Sequence, residues 1–143
     1  MAGDLEGKVA LISGGARGMG AAEAELFVSE GGRVVIGDVL DEEGENTAAS
    51  IGENAHYVHL DVTKEDQWQA AVANAESRFG QLDVLVNNAG ILRFGMLEET
   101  SLEEYELVIK INQVGVFLGM KMAVPALRRA GAGSIVNLSL IHI

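Results

Sequence analysis

Short apolar runs alternate along the chain with longer stretches of helical periodicity. Runs rich in Val, Ile and Leu predict strands at residues 8–13, 33–38, 55–62, 82–90 and 134–138. The intervening stretches predict helices at residues 21–31, 41–52, 64–80 and from Ser101 to about Ala130. Because nearly every strand position is apolar, both faces of each strand are expected to be buried, as in a parallel sheet between two helical layers. With right-handed crossovers, this pattern predicts an α/β fold with a doubly wound parallel sheet.

Individual residues refine the helices. Thr100 or Ser101 can be the N-cap of the longest helix, and Ser101 with Glu104 fits a capping box. Pro125 predicts a kink or a thinning near the end of this helix. Trp68 is interpreted as a core residue. No linker or internal repeat divides the chain, so we predict one domain that covers residues 1–137. The first helix is expected to carry Ala24, Leu26, Phe27 and Val28 on or near its inner face.

The balance of charge argues against polyanionic partners. Ten Lys and Arg residues against 21 Asp and Glu residues give a net charge of −11, which repels nucleic acid and anionic membrane surfaces. The first residues, MAGDLEGK, lack the basic and apolar regions of a signal peptide. No apolar run approaches the ~18 residues of a membrane-spanning helix. We therefore predict a cytoplasmic protein without nucleic-acid or membrane partners.

Metal and disulfide chemistry are not indicated by the sequence. The chain contains no Cys, which excludes a disulfide framework and a thiolate metal site. His56, His59 and His142 show no ligand spacing, and the first two point to opposite faces of a predicted strand. We therefore predict no bound metal.

The segment SGGARGMG at residues 13–20 lies between the first predicted strand and the first predicted helix. It places glycine at Gly14, Gly18 and Gly20. A dinucleotide pyrophosphate must approach the backbone N–H groups at a helix N-terminus, and a Cβ atom would block the tight turn or that approach. A merely flexible turn is the alternative, but the placement between strand and helix favours a dinucleotide site.

Asp38 ends the second predicted strand. A carboxylate there can accept hydrogen bonds from both ribose hydroxyls of an adenosine and repels a 2′-phosphate, which favours NAD over NADP. Arg17, in the glycine loop, points weakly the other way because it can pair with phosphate. Asp38 is the more direct contact, so we predict NAD. A turn or helix-cap aspartate is the alternative interpretation.

Two further turns follow strands at the same expected edge of the sheet. Asp61 and Val62 close the third strand, where a carboxylate can bond the adenine amino group and an apolar neighbour can pack on the ring. NNAG, at residues 87–90, ends the fourth strand at the edge where open α/β sheets bind ligands. Its Asn side chains can hold backbone and cofactor, while Ala89 and Gly90 leave room for a ribose. A strand-end aspartate and a turn-capping asparagine are the alternatives.

Asn112 lies inside the longest predicted helix, among apolar neighbours in IKINQVGVF. Asn competes for backbone hydrogen bonds and is a mediocre residue in a helix interior. Two interpretations stay open: a satisfied core amide, or a residue of a distorted helix that holds a water.

Together these motifs resemble the short-chain dehydrogenase/reductase family from about Leu5 to Asn137. The resemblance rests on the glycine loop, Asp38, LDV, NNAG, Asn112 and GSIVN at residues 133–137. The stretches GGARG, DVLDEEG and GVFLGMK are most similar to the bacterial 3α(20β)-hydroxysteroid dehydrogenases and their relatives. The resemblance implies a Rossmann-like domain that interconverts a secondary alcohol and a ketone by hydride transfer with NAD, in a homo-oligomer (dimer or tetramer).

The resemblance also implies the site. In the family a Tyr is the general acid/base, a Lys four residues later lowers its pKa, a Ser orients the carbonyl, and an Asn at the position of Asn112 anchors a proton-relay water. A small alcohol or ketone is the expected substrate, and the apolar stretch ILRFGM at residues 91–96 suits a steroid or another hydrophobic alcohol. The expected NAD contacts are Gly14, Arg17, Gly18, Met19, Gly20, Asp38, Asp61, Val62, Asn88, Ala89 and Gly90.

The end of the sequence departs from the family pattern. Leu140 stands where the catalytic Ser is expected, and neither Tyr57 nor Tyr105 is followed by Lys at the fourth position. Residues 138–143 are therefore interpreted as a non-native tail after a sheet truncated behind its fifth strand. Without the Tyr and Lys pair there is no matched general acid at the carbonyl, so we expect this chain by itself to be inactive. A non-catalytic NAD-binding module or regulator is the alternative function.

Overall fold

The computed structural model describes residues 3–139, which form a parallel sheet with helices packed on both faces. The strands of this part are β1 (Val9–Ser13), β2 (Arg33–Asp38), β3 (Ala55–His59), β4 (Val84–Asn87) and β5 (Ser134–Asn137). The α-helices are α1 (Gly18–Ser29), α2 (Asp41–Ile51), α3 (Glu65–Phe79), α4 (Leu102–Ile109) and α5 (Gly115–Arg129). The predicted α/β class is confirmed.

Within residues 3–139 the strand order is β3-β2-β1-β4-β5, and all paired neighbours are parallel. β1 is central, because Leu11 is in register with Val35 of β2 and with Leu85 of β4. The strand order therefore reverses between β1 and β4. In doubly wound sheets, ligands bind in the crevice outside the carboxyl ends of the strands at this switch point.

Alternating side chains of the strands fill two cores, one on each face of the sheet. Leu11 packs in one core with Trp68 of α3, and Ile12 packs in the other with Phe27 of α1. Every residue of β1 is buried, and each buried Val, Leu or Ile contributes roughly 1.5–3 kcal/mol. Trp68 is fully buried and donates its indole N–H to the carbonyl of Val62 at 2.9 Å, which confirms it as a core residue.

Several predicted boundaries are wrong by a few residues. β3 ends at His59 and β4 at Asn87, so the residues expected to bind a ligand lie in the turns after these strands rather than inside them. α1 begins at Gly18, because the end of the glycine loop already forms its first turn. Leu26 of α1 is 62% exposed, which corrects its assignment to the inner face, whereas Ala24 is buried there.

The longest predicted helix is divided by a π-helical turn. α4 leads through this turn, at Lys110–Val114, into α5. Ser101 caps α4, since its hydroxyl accepts a hydrogen bond from the backbone N–H of Glu104 at 3.1 Å, as the capping box predicts. Pro125 lies inside α5, which continues to Arg129.

The helical stretch Leu102–Arg129 is long and apolar enough to cross a membrane, with a mean hydropathy of 1.5 over its most apolar part. Core helices of soluble proteins meet the same criterion. Here Leu118, Ala123 and Leu127 of α5 are buried in the core that also holds Trp68. α5 is therefore a core helix along this face, whereas only 22% of the most apolar part of the stretch is buried.

Candidate functional site

A cleft of about 490 Å³ lies at the carboxyl ends of β1, β2, β3 and β4. The glycine loop forms one wall, and the turns after β2, β3 and β4 form the others. The predicted contact residues that line it are Gly14, Arg17, Gly18, Asp38, Asp61, Val62, Asn88, Ala89 and Gly90. The fold thus brings together at one edge residues that are widely separated in the sequence.

The glycine loop is shaped by close backbone contacts. Gly14 has φ of +68°, and a Cβ atom on it would lie 2.8 Å from the Cα atom of Ala89. The backbone N–H of Gly14 donates to the carbonyl of Gly37 at 2.7 Å, which fixes the loop to the end of β2. Gly18 has φ of +59°, and a Cβ atom there would meet nothing within 4 Å. The loop is therefore packed on its inner side and open where α1 begins.

Met19 and Gly20, which were also expected to contact NAD, do not line the cleft. The Met19 side chain is 54% exposed on the first turn of α1. Gly20 is buried under the loop, where a Cβ atom would lie 2.3 Å from the carbonyl oxygen of Gly14. Gly20 thus lets α1 approach the loop closely rather than contacting the cleft.

The carboxylate of Asp38 joins the glycine loop to the turn after β2. Its Oδ2 atom accepts a hydrogen bond from the backbone N–H of Ala16 at 3.0 Å. Its Oδ1 atom accepts from the N–H groups of Val39 at 2.8 Å and Leu40 at 3.2 Å. Asp38 is therefore a turn-capping aspartate and also lines the cleft, so the two interpretations from the sequence are compatible.

The turn after β3 carries a second carboxylate into the cleft. Asp61 Oδ1 accepts hydrogen bonds from the backbone N–H of Thr63 at 2.9 Å and from its hydroxyl at 2.8 Å. Burial raises the pKa of Asp61, but the Thr63 hydrogen bonds and the nearby Lys64 outweigh it, so the pKa lies below its ordinary value. Val62 is buried beside it and presents an apolar surface to the cleft.

The two asparagines after β4 have different roles. Asn88 donates its side-chain N–H groups to the carbonyls of Ser13, at 3.0 Å, and Gly14, at 2.9 Å, and so ties this turn to the glycine loop. Asn87 instead faces α5, where its Oδ1 atom lies beside Gly119, and it donates to Oδ1 of Asn137 in β5 at 2.8 Å. Among residues 3–139, no partner is found for the buried Oδ1 atom of Asn87. Asn87 is thus a structural residue of the sheet.

Asn112 lies in the π-helical turn, so the helix is distorted there, one of the two alternatives left open by the sequence. Its Oδ1 atom accepts from the backbone N–H of Ile91 at 2.8 Å, and its Nδ2 atom donates to the carbonyl of Ile91 at 2.8 Å. This pair of hydrogen bonds fixes the segment that follows Gly90 at the mouth of the cleft.

The sequence did not indicate several apolar residues of the lining. Val39 and Leu40 follow Asp38 directly, so their position after a strand could have suggested them. The position of Leu60 just before Asp61 is a similar indication, whereas Ile111 lies in the π-helical turn next to Asn112, which periodicity does not predict. The missed lining residues are Val39, Leu40, Leu60 and Ile111, whereas Ile91 begins the apolar stretch at residues 91–96 that was expected to border the site. Leu140, the expected position of the catalytic Ser, lies outside the described residues, as does most of the tail at 138–143.

Comparison with known proteins gives consistent matches over nearly the whole chain. The family model for short chain dehydrogenases matches residues 8–142. The 3-alpha-(or 20-beta)-hydroxysteroid dehydrogenase of Mycobacterium tuberculosis is 54% identical over 142 residues, which cover 99% of this chain and 55% of that protein. The trans-4-hydroxycyclohexanecarboxylate dehydrogenase of Sinomonas cyclohexanicum is 50% identical over 143 residues, 94% of this chain and 55% of that protein.

A solved structure is similar in fold and sequence. The crystal structure of a 3-ketoacyl-(acyl-carrier-protein) reductase from Brucella melitensis, complexed with NADH, superposes with a TM-score of 0.86 at 40% identity. The match covers 90% of this chain and 53% of the reductase. This chain therefore spans about half the length of the relatives that it matches.

Proposed function

Because the chain belongs to the short-chain dehydrogenase family, we propose that the protein is an NAD-dependent oxidoreductase that interconverts a secondary alcohol and a ketone. One observation carries the proposal. The glycine loop at the N-terminus of α1 and the carboxylate of Asp38 line the same cleft at the carboxyl edge of the sheet. This arrangement pairs a phosphate-binding helix end with an acceptor for ribose hydroxyls.

The residues of the cleft fit a dinucleotide. The space above Gly18 is open, and the first N–H groups of α1 have no carbonyl partner within the helix. A diphosphate there would accept hydrogen bonds from these N–H groups. Asp38 would hold the adenosine ribose, Val62 would pack on the adenine, and the turn at residues 88–90 would border the second ribose. Bound in this cleft, NAD supplies the hydride acceptor or donor.

The preference for NAD over NADP is argued from the charges at the adenosine end. Asp38 is held by N–H groups on both of its oxygens, so it cannot turn away without losing those hydrogen bonds. A 2′-phosphate would face this fixed negative charge. Arg17 lines the same cleft and is exposed, so it is free to contact the diphosphate instead.

We propose a hydrophobic secondary alcohol as the substrate, with a hydroxysteroid as the first to test. The Mycobacterium tuberculosis relative is named for a hydroxysteroid, and the Sinomonas cyclohexanicum relative is named for a hydroxylated cyclohexane ring. In this chain the segment after Gly90 exposes Leu92, Phe94 and Met96 by 61, 90 and 62%. These side chains offer an apolar surface beside the mouth of the cleft.

Catalysis is proposed for the whole protein rather than for the 143 residues alone. Asn112 is proposed as the family Asn, acting through the π-helical turn and through its hold on Ile91. Leu140 occupies the Ser position, and neither Tyr57 nor Tyr105 has the required Lys. For this chain by itself, a non-catalytic NAD-binding module is the second candidate function.

Isothermal titration calorimetry of the 143-residue protein with NAD⁺ and NADP⁺ tests the binding proposal. NAD⁺ should bind about tenfold more tightly than NADP⁺, because the 2′-phosphate of NADP⁺ is repelled by the Asp38 carboxylate. Asp38→Asn removes the charge and keeps an oxygen for the N–H groups of Val39 and Leu40, while the hydrogen bond from Ala16 is lost. This variant should reduce the preference for NAD⁺ over NADP⁺. Asp66→Asn removes the same charge from the exposed start of α3 and serves as the control. A folded protein that binds neither dinucleotide contradicts the proposal.

Sequencing the source transcript across codon 137 separates the two candidate functions. A reading frame that continues with Ser and then Tyr-xxx-Lys supports the dehydrogenase, and the protein from that frame should reduce NAD⁺ with a hydroxysteroid. A stop codon in an intact transcript supports the binding module. Substrate-dependent NADH formation by the 143-residue chain contradicts its expected inactivity.

A further inference from the structure

A hydrogen-bonded cluster lies behind the turn that carries Asp38. Tyr57, on β3, places its hydroxyl oxygen 2.7 Å from the backbone carbonyl of Asp38 and 2.6 Å from Oδ1 of Asp41. The Nδ1 atom of His59 lies 2.7 Å from the same Oδ1 atom. Asp38 is the last residue of β2 and Asp41 the first of α2. The Tyr57 hydroxyl therefore bridges the two ends of the β2–α2 turn.

The Tyr57 hydroxyl can only donate in this arrangement. A carbonyl oxygen and an ionised carboxylate both accept, so the one phenolic proton is shared between them. Burial and the hydrogen bond to Asp41 raise the pKa of Tyr57, which keeps the proton in place. The hydrogen bonds from Tyr57 and His59 lower the pKa of Asp41, so its acceptor oxygens persist at neutral pH.

The ring of Tyr57 is fixed by packing against α2. A Cβ atom on Gly44 would lie 2.1 Å from the ring, so glycine at this position makes room for the tyrosine. About one turn after Gly44, α2 is also tied to the glycine loop, because the hydroxyl of Thr47 donates to the carbonyl of Ala16 at 2.7 Å. The backbone N–H of Ala16 in turn donates to Asp38. The glycine loop, the β2–α2 turn and α2 are thus one connected unit.

We propose that Tyr57 is a positioning residue for coenzyme selectivity: its hydroxyl fixes the turn from Asp38 to Asp41 and thereby the direction of the Asp38 carboxylate. This inference rests on the proposed function. A carboxylate discriminates against a 2′-phosphate only if it cannot rotate or withdraw when the phosphate approaches. Tyr57 does not line the cleft, so it acts through Asp38 rather than by contact with the ligand.

Tyr57→Phe tests the inference, because it keeps the ring against Gly44 and removes only the hydroxyl. Calorimetry on the 143-residue protein would use ADP-ribose and 2′-phospho-ADP-ribose, which probe the adenosine end alone. In the variant, the ratio of the affinities for ADP-ribose and 2′-phospho-ADP-ribose should fall about two- to tenfold, which is the effect of one hydrogen bond. Amide hydrogen exchange at Val39 and Leu40 should become faster, since their acceptor is less firmly held.

Tyr105→Phe is the matched control, because Tyr105 is 59% exposed on α4 and has no part in the turn. It should leave the ligand preference and the exchange rates unchanged. An unaltered preference in Tyr57→Phe overturns the inference. So does an equal loss of affinity for both ligands, which indicates a purely structural role. If the folded wild-type protein binds neither ligand, this result contradicts the proposed function and, with it, the inference.

Discussion

The Glu23 carboxylate of α1 is poorly solvated for an ionised group. Its Oε2 atom is buried, and no hydrogen-bond partner for it is found within residues 3–139. Burial raises the pKa of Glu23 above the ordinary value of 4.5. The folded state therefore holds the proton more tightly than the unfolded chain. The ionised Glu23 carboxylate lowers the stability of the folded state. This loss of stability is absent below pH 4.5 and is complete once the pH rises above the pKa of Glu23 in the folded state.

Glu23→Gln should change the pH dependence of stability in a defined direction. The variant cannot ionise, so its free energy of unfolding relative to wild type should increase as the pH rises above 4.5 and through the raised pKa of Glu23. Urea unfolding at several pH values measures this difference. Glu25→Gln, at an exposed position of the same helix, is the control and should show a flatter difference. A Glu23→Gln curve parallel to that of wild type contradicts the prediction.

Single residues were predictable where their chemistry follows from position in a motif. Gly14 and Asn88 directly follow strands and Asp38 ends one, and the fold brings all three to the cleft. Tyr57 was not predictable, because its role depends on Asp38 and Asp41, which lie on other elements. Leu26 was assigned wrongly since helical periodicity does not tell which apolar position reaches the sheet.

At the scale of elements, the division of the long helix matters most for the site. Periodicity alone predicts an uninterrupted helix, and at the position of the π-helical turn the sequence indicated a distortion only through Asn112. The π-helical turn allows both hydrogen bonds between the Asn112 side chain and Ile91 and brings Ile111 into the cleft lining. π-helical turns occur often at functional sites. Propensity rules do not place them, because their extra residue is accommodated by tertiary contacts.

Asn112→Ala should release the segment that begins at Ile91. The variant loses two hydrogen bonds to the Ile91 backbone, and each of them contributes about 0.5–1.5 kcal/mol. Hydrogen exchange should therefore accelerate at Ile91 and the residues after it, while β1 and β2 stay protected. Gln113→Ala, the exposed neighbour in the same turn, is the control and should leave Ile91 unaffected. Equal exchange rates in the two variants contradict the assigned role of Asn112.

At the scale of the whole molecule, the sequence was sufficient for the class and topology of the described sheet. The regular alternation of apolar strands and helices leaves few arrangements once right-handed crossovers are required. Which surfaces stay open is not encoded in that periodicity. β5 forms an edge of the sheet within residues 3–139, and all four of its residues are exposed. An apolar strand such as SIVN resembles a buried strand whether or not a neighbour covers it.

The open apolar surface and the net charge of the chain act against each other. Val136 in β5 is 43% exposed, and Leu102 and Phe117 of the long helical stretch are 69% and 57% exposed. Such a strand edge and helix face promote association, whereas a net charge of −11 opposes it by repulsion. Salt shortens the range of this repulsion, to about 3 Å at 1 M, and leaves the apolar attraction in place.

The 143-residue protein should therefore associate more strongly as salt is added. Sedimentation velocity at a fixed protein concentration should show the monomer share falling between about 0.01 M and 1 M NaCl, as the screening length shortens. Val136→Lys places a charge on the exposed edge and should restore monomer if β5 pairs with a second copy. If the copies instead associate through the exposed helix face, Phe117→Ser should restore the monomer. A decrease of association with salt contradicts the argument, because it indicates that charged rather than apolar contacts hold the copies together.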